Sequence, residues 1–377
     1  MAFDLQWLLL ALPVAFAIGW LGSRFDLRQW RGEQNAAPKA YYKGLNLLLN
    51  EQQDKAIDAF IEAVQSDPDT TELHFALGNL FRRRGEFERA VRVHQHLTQR
   101  GDLSGAERER AQHALAQDYL KAGLLDRAEA GYRALEGTRF DIESRLALLQ
   151  LHERSRDWRA ASEDAARLEA AGTGSFASRV AHHWCELAHE AEERGDAAGA
   201  QTALARAKET APAAPRPWVQ AGQRHARRGE HALALEDWTQ LRQRHPVAFA
   251  LVAADYAASA TALGQDREAI AVLQAVYADL PSLALLQAID RLDTDPARQQ
   301  QRHAAHLAAH PTLSAAAAVL RDVAAAPAAA IAAVDRASKP LQRYRCAACG
   351  FEAQRYFWQC PGCLSWDSFP PRHIEED

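Results

Sequence analysis

The middle of this chain, about three hundred residues, follows one pattern of apolar and polar positions. Apolar residues recur every three or four positions, which predicts helices, and strand-like alternation is missing from the segment. The clearest stretch is Pro215–Pro246, where small residues at Gly222 and Ala234 would let two antiparallel helices approach closely and a proline would end the second. The pattern residues of this stretch are Trp218, Ala221, Gly222, His225, Gly229, Ala234, Trp238, Leu241 and Pro246.

The same pattern recurs along the chain with a period of 34 residues. Ala181–Pro212 repeats it in the same register, units marked by Gly44 and Gly78 open the series, and Leu283–Pro311 is a degenerate last pair. This period and these positions are those of the tetratricopeptide repeat. The pattern therefore predicts a mainly α fold, a tetratricopeptide-repeat superhelix (α-solenoid) of about seven or eight repeats over residues 37–311, followed by a helical connector, 312–340.

Arrays of this kind usually hold other proteins in a concave groove lined by the first helix of each repeat. Positions 5, 9 and 12 of the repeat face that groove. The alternative for each residue is a solvated side chain or one that packs within the array. The residues at these positions are Phe75, Asn79, Arg82, His113, Gln117, Leu120, Val219 and Gln223.

Close to its N-terminus the chain has an uncharged apolar stretch. Residues 5–22 carry no charge, and at about 1.5 Å per residue they would span roughly 27 Å as a helix, close to the hydrocarbon thickness of a bilayer. Arginines and lysines follow the stretch, in the basic linker 23–36 and just beyond it, whereas Asp4 precedes it. The positive-inside rule then predicts a single-pass anchor, 1–22, with the rest of the protein in the cytoplasm. A cleavable signal peptide is the alternative, but a basic segment before the apolar stretch is missing.

Four cysteines near the C-terminus form two Cys-x-x-Cys pairs separated by ten residues. Each short pair points two thiolates at one position, and two such pairs complete a tetrahedron around one metal ion, zinc or iron. Gly350 and the Pro361–Gly362 dipeptide fit the tight loops, and seven aromatic residues could cover a small metal centre. The predicted ligands, in the module 341–371, are Cys346, Cys349, Cys360 and Cys363.

Three interpretations of the four cysteines remain open from their spacing. A closed zinc site would stabilise the fold without chemistry. Iron in the same site would carry electrons, as in rubredoxin. Disulfides would need an oxidising compartment, which the predicted cytoplasmic location argues against.

Other motifs carry little weight. Gly172–Ala177 imitates a dinucleotide-binding fingerprint but follows a helix, so a loop is predicted. His303 and His306 fall at packing positions, and Cys185 fits a small buried side chain. Recognisable catalytic motifs are missing, so an enzyme is not expected. A net charge of −5 gives no reason to propose nucleic acid as a partner.

The order of anchor, repeats and four-cysteine module resembles the lipopolysaccharide assembly protein B family of Gram-negative bacteria. The closest local match is a rubredoxin-like stretch around the two cysteine pairs, with Tyr344, Phe351, Tyr356, Trp358 and Trp366. The resemblance implies a protein at the cytoplasmic face of the inner membrane that regulates lipopolysaccharide synthesis. It also implies that the four cysteines bind metal and that the module docks on the repeats.

The resemblance further implies the partners. The family is thought to deliver the deacetylase LpxC to the membrane protease FtsH, and its anchor contacts other membrane proteins. In this chain the basic residues after the apolar stretch would also meet anionic lipid headgroups. The expected function is therefore an adaptor that promotes LpxC degradation. The alternatives are a scaffold that couples lipopolysaccharide synthesis to its transport machinery and a redox carrier that uses iron.

Overall fold

The computed structural model of this chain describes residues 16–17, 19–20, 42–323 and 326–376. These ranges are mainly helical and divide into two compact units, unit 1 ending at Arg156 and unit 2 spanning Asp157–Asp377. No helix among the described residues has both the length and the apolar character needed to cross a bilayer. The predicted anchor, 1–22, lies outside the described ranges except at four positions, so its prediction stays a prediction.

Unit 1 consists of helices in which neighbours along the chain pack together from α2 onward. Helix α3 also packs on α5, so that the first helices of successive pairs are in contact, as in a repeat array. The helices are α1 (residues 42–49), α2 (Gln53–Ser66), α3 (Thr71–Arg84), α4 (Phe87–Gln99), α5 (Gly105–Lys121), α6 (Leu125–Arg133) and α7 (Asp141–Ser155).

Unit 2 continues with helix pairs and ends in a small two-stranded module. Helix α9 packs on both α10 and α11, and α14 packs on both α15 and α16. The helices are α8 (Trp158–Ala170), α9 (Ala177–Glu193), α10 (Ala197–Thr210), α11 (Pro215–Arg227), α12 (His231–Arg244), α13 (Pro246–Phe249), α14 (Ala253–Ala262), α15 (Asp266–Asp279), α16 (Leu283–Leu292), α17 (Pro296–Ala309), α18 (Leu313–Asp322) and α19 (Ala328–Ser338).

Two parts of unit 2 differ in detail from the sequence pattern. The first helix of the pair that ends in α15 is interrupted, because a 3-10 turn, Ala250–Val252, separates α13 from α14. The predicted connector, 312–340, contains α18 and α19, which pack on each other while α18 also packs on α17. The connector therefore continues the packing of helices instead of merely linking two domains.

Glycines at position 8 of the repeat explain how the paired helices approach each other. A Cβ atom on Gly222 would lie 2.7 Å or less from three atoms of the Trp238 indole, which is fully buried. A Cβ on Gly44 would lie 2.6 Å from the ring of Phe60. The predicted close approach is confirmed, and its partner is the large side chain at position 24 of the same repeat.

Glycines also form the turn between the two helices of a repeat. Gly85, Gly195 and Gly229 all adopt positive φ angles, between 76° and 84°, where a side chain would be strained. In the corresponding turn between α7 and α8, Arg156 adopts a φ of 61°. Arginine pays a conformational cost there that glycine avoids.

Candidate metal centre

The first cysteine pair lies in a tight loop that a short β-ladder holds. Strands β1 (Tyr344–Arg345) and β2 (Glu352–Ala353) pair antiparallel, with Tyr344 opposite Ala353. Within the loop, the Cys346 N–H donates to the carbonyl of Phe351 at 2.9 Å, and the Gly350 N–H donates back to the carbonyl of Cys346 at 2.8 Å. We call residues 344–371 the ribbon.

The second pair repeats this geometry with different residues. The Cys360 N–H donates to the carbonyl of Ser365 at 2.9 Å, and the Leu364 N–H donates to the carbonyl of Cys360 at 2.8 Å. Gly350 and Leu364 occupy equivalent places, and both have positive φ, 77° and 61°. The predicted turn role of Gly350 is confirmed, whereas the use of leucine at the matching place was not expected because leucine is strained there.

The four cysteine sulfur atoms come together at one point. All four lie within 4.8 Å of one another, with 3.8 Å between the sulfurs of Cys346 and Cys363 and 3.7 Å between those of Cys349 and Cys360. A tetrahedron with metal–sulfur bonds of about 2.3 Å has edges of about 3.8 Å, whereas a disulfide needs about 2.05 Å. The prediction of one metal ion in a four-cysteine site is confirmed. The geometry suits zinc and iron alike.

Hydrogen-bond donors favour the deprotonated form of two of the four cysteine sulfurs, those of Cys346 and Cys363. The pKa of Cys349 is raised to about 12 and the pKa of Cys360 is also raised, because burial and hydrogen bonds among the cysteines favour their thiol forms. Burial acts to raise the pKa of Cys346, but the Ser368 hydroxyl and the backbone N–H groups of Cys349 and Ala348 lower it to about 6. The hydroxyl and backbone N–H of Ser365 lower the pKa of Cys363. Metal binding requires thiolates, so these donors favour the form of the site that binds the ion.

The ribbon aromatics divide into two groups with different roles. Phe369 is buried beside Cys346 and Cys360 and forms a small core with Tyr344, Tyr356 and Phe357. Phe351 is 41% exposed. Trp358 and Trp366 face the repeats instead, so the prediction that all seven aromatic residues cover the metal centre is wrong in their case.

Trp366 is the centre of the contact between the ribbon and the repeats. Its indole stacks on the imidazole of His182 in α9, with ring centroids 4.5 Å apart and planes 14° apart. Trp158 of α8 meets the indole edge-on at 6.1 Å, and the guanidinium of Arg216 in α11 lies 5.8 Å from the ring. An aromatic side chain enclosed in this way is the usual energetic centre of an interface.

Asp367 adds polar contacts next to the stacked rings. Its carboxylate accepts hydrogen bonds from His182 Nε2 at 2.9 Å and from the Ser178 hydroxyl at 3.1 Å. Burial lowers the pKa of His182, although the hydrogen bond to Asp367 acts in the opposite direction. Burial acts to raise the pKa of Asp367, but the bonds from His182 and Ser178 bring it below its usual value. The ring of His182 is therefore neutral near pH 7, with Nε2 carrying the proton.

The ribbon has further attachments to unit 2. Trp358 packs on the hydrophobic cluster that contains Val219, Trp238 and Phe249. Beyond the ribbon, the Glu375 carboxylate accepts from the Ser314 N–H at 3.2 Å, at the start of α18. The docking that the family resemblance implied is present in this structure.

The predicted groove residues of unit 1 have different environments. Phe75 is 1% exposed, and the guanidinium of Arg110 covers its ring at 4.0 Å. Arg82 donates to Asn79 at 2.5 Å and to the buried carboxylate of Asp118 at 2.8 Å. The imidazole of His113 stacks on Phe140 at 4.6 Å. Leu120 packs partly buried in a hydrophobic cluster, and Gln117 is half-buried.

The groove residues of unit 2 are also engaged with neighbours. Val219 is 4% exposed, and the side-chain amide of Gln223 donates to Asp255 at 3.3 Å. Phe75 and Val219 share position 5, where the apolar side chain turns into the core. The assignment of these residues to a partner-binding groove stays a prediction.

A buried polar cluster in unit 1 was missed by sequence reasoning. His94 stands at position 24, where other repeats carry a large apolar residue, and its Nδ1 lies 2.5 Å from Asp118. Neither side chain is exposed to solvent. Gly78 leaves the space for the imidazole, since a Cβ there would lie 2.5 Å from the ring. Asp118 lies on α5 where Arg82 and His94 meet, and the spacing of the repeat alone does not reveal this contact.

The motifs given little weight behave as predicted. Gly172–Ala177 lies in the loop between α8 and the start of α9. His303 is buried with its nitrogens 2.6 Å from Asp322 and 2.7 Å from Asp290, and His306 is buried beside Tyr277. Burial raises the pKa of Cys185 to about 12, which makes its thiol inert.

Helix-pair repeats that carry a docked four-cysteine ribbon define the class of this protein. Residues 344–371 match the family model described as rubredoxin metal binding domain. Lipopolysaccharide assembly protein B of Escherichia coli K12 is 32% identical over 97% of this chain and 98% of its own length. The protein of that name from Haemophilus influenzae is 25% identical over 99% of both chains. This chain belongs to the lipopolysaccharide assembly protein B family.

Solved structures give weaker similarities. A tetratricopeptide repeat protein from Parabacteroides merdae covers 69% of this chain and 99% of its own, at 14% identity and a TM-score of 0.35. MamA protein covers 48% of this chain and 93% of its own, at 15% identity and a TM-score of 0.36. At these scores the similarities carry no argument, and the repeats are assigned from the helix pairs themselves.

Proposed function

We propose that this protein is an inner-membrane-anchored adaptor of lipopolysaccharide assembly that promotes degradation of LpxC by FtsH and has no active site of its own. The observation that carries this proposal is the similarity along nearly the whole chain to proteins named lipopolysaccharide assembly protein B, 32% identity over 97% of the chain. Helix-pair repeats support a binding role because they offer extended surfaces to other proteins. The closed four-cysteine site supports a structural role for the metal.

The proposed mechanism is an increase in effective concentration. The apolar stretch 5–22 would hold the adaptor at the membrane beside FtsH, with the repeats and the ribbon on the cytoplasmic side. The repeats would bind LpxC, so that its encounter with the protease becomes a local event. Binding alone is then insufficient, and the anchor is needed for turnover.

The ribbon contributes to this proposal through its exposed side. Phe351 and Leu364 lie in the two cysteine loops and are 41% and 47% exposed. Exposed apolar side chains on a rigid metal-stabilised loop suit contact with another protein. The adaptor surface that we propose therefore includes the ribbon as well as the repeats.

The test is the half-life of LpxC in cells, with the abundance of the adaptor checked in every strain. We expect a longer half-life without the adaptor, with the Cys360→Ser/Cys363→Ser variant, and with a chain that lacks residues 1–22. Cys185→Ala is the matched control, because this fifth cysteine is buried in α9 and is not one of the four whose sulfurs come together. A normal half-life with the chain lacking residues 1–22 at native abundance would contradict the proposed mechanism.

A scaffold that couples lipopolysaccharide synthesis to its transport machinery is the second candidate. It is favoured by the names of the relatives, which refer to assembly and not to proteolysis. An unchanged LpxC half-life in all strains, together with defective lipopolysaccharide assembly in the strain without the protein, would favour the scaffold over the degradation adaptor.

A further inference from the structure

Four consecutive residues of the ribbon connect the metal site with the repeats. The first and the last lie beside cysteine sulfurs, and the two between them contact α9. We call Ser365–Ser368 the bridging segment. The Ser365 hydroxyl lies 3.3 Å from the sulfur of Cys363, and the Ser368 hydroxyl lies 3.3 Å from the sulfur of Cys346. Each end residue thus touches a different cysteine pair.

Backbone hydrogen bonds fasten the same two ends. The carbonyl of Ser365 accepts from the Cys360 N–H at 2.9 Å, and the carbonyl of Ser368 accepts from the Ala347 N–H at 2.7 Å. The Ser368 hydroxyl also lies 3.2 Å from the Ser365 carbonyl. Both ends of the bridging segment are therefore joined, through side chain and backbone, to the two loops that hold the four sulfurs.

The two middle residues make the contact with α9. Trp366 stacks on His182, and Asp367 accepts from His182 and Ser178, as described above. Asp367 has a φ of 51°, and its N–H donates to the carbonyl of Trp358 at 2.9 Å. A non-glycine residue keeps such an angle only where surrounding contacts hold it. The contact of Trp366 and Asp367 with α9 therefore depends on a backbone conformation that neighbouring contacts hold.

We propose that metal loading of the ribbon and its docking on α9 are thermodynamically coupled through the bridging segment. A tetrathiolate–metal centre fixes Ser365 and Ser368, and these present Trp366 and Asp367 to His182. By linkage, docking must strengthen metal binding by the same factor. The ribbon then acts as a metal-dependent clasp: loss of the ion uncovers the surface of Trp158, His182 and Arg216.

The first test measures metal affinity in the full chain after a substitution that touches no ligand. We expect His182→Ala to weaken zinc binding between about fivefold and 100-fold, in competition with a chelating dye. His189→Ala is the matched control, since His189 lies on the same helix, is exposed and pairs with Glu193 within that helix. Zinc affinity of His182→Ala within twofold of the control would overturn the proposal.

The second test does not use His182→Ala and therefore stands even where that substitution disturbs folding. Hydrogen exchange of α9 is compared in the zinc-loaded chain and after removal of zinc by a chelator. We expect faster exchange at residues 177–183 without zinc, and a Ser365→Ala/Ser368→Ala variant loaded with zinc should show part of the same increase although all four cysteines remain. Unchanged exchange in α9 on zinc removal, or a change confined to α18, would overturn the coupling.

Discussion

Replacing Gly222 with alanine tests the close helix contact that underlies the repeats. The new methyl group would lie 2.7 Å or less from three atoms of the Trp238 ring, which is fully buried and packed against Val219, Leu241 and Tyr256. The ring must therefore move by about 1 Å within a buried hydrophobic cluster, and overpacking of this kind costs about 1–3 kcal/mol.

Alanine also favours the helix, which offsets part of that cost. The gain over glycine is about 1 kcal/mol in a helix interior. The net loss in the free energy of unfolding is then up to about 2 kcal/mol, seen as a lower urea midpoint by circular dichroism. Gly105→Ala is the control, because nothing lies within 4 Å of the position where its Cβ would stand, and we expect little change or a small gain.

A second substitution separates the steric cause from other effects. Trp238→Leu creates space beside Gly222, at a cost of roughly 2–4 kcal/mol for the cavity. In that background only the helix gain remains, so Gly222→Ala should stabilise by about 1 kcal/mol, and the coupling energy should equal the overpacking cost of about 1–3 kcal/mol. Equal effects of Gly222→Ala in both backgrounds would refute the steric reasoning.

Three further predictions follow from buried groups. Asp118→Ala should lower the free energy of unfolding by about 3–5 kcal/mol, because it leaves His94 and Arg82 without their carboxylate; urea unfolding measures it. Burial lowers the pKa of His113 in the folded state, although Glu143 acts to raise it, so the unfolded chain binds the proton more readily. Stability should therefore fall as the pH drops from 7 through 6.5, and His113→Gln should reduce that fall. In the metal-free native chain a thiol reagent should modify the exposed Cys349 and Cys363 first, and the buried Cys185 only after denaturation.

Each of these predictions has its own control. Asp54→Ala removes a carboxylate that is 79% exposed and paired with Arg84, and should cost under about 1 kcal/mol. If it costs as much as Asp118→Ala, burial is not the reason for the larger effect. An unchanged pH dependence in His113→Gln would show that this imidazole does not titrate with folding. Modification of all five cysteines in the native chain would contradict the burial of Cys185.

Some of the structure was predictable because it depends on local spacing. The glycine turn at Gly229 and the close approach at Gly222 follow from a period of 34 residues. The sulfur cluster follows from two Cys-x-x-Cys pairs, since a short loop brings both thiols of a pair to one side. Spacing did not determine the surroundings of the apolar side chains at position 5. Phe75 lies under Arg110, a residue 35 positions away whose reach depends on how α5 packs on α3.

The sequence by itself determined which helices form and which four cysteines meet, because helix periodicity and ligand spacing act over a few neighbouring residues. Tertiary structure alone decided which surfaces of the ribbon face the repeats. Trp358 and Trp366 belong to the same aromatic run as Tyr356 and Phe357, yet they pack on helices and not around the sulfurs. His182 and Asp367 are 185 residues apart, and their contact exists only because folding brings α9 to the ribbon. Contacts of that kind depend on the shapes of both surfaces, and a one-dimensional pattern of residues does not contain those shapes.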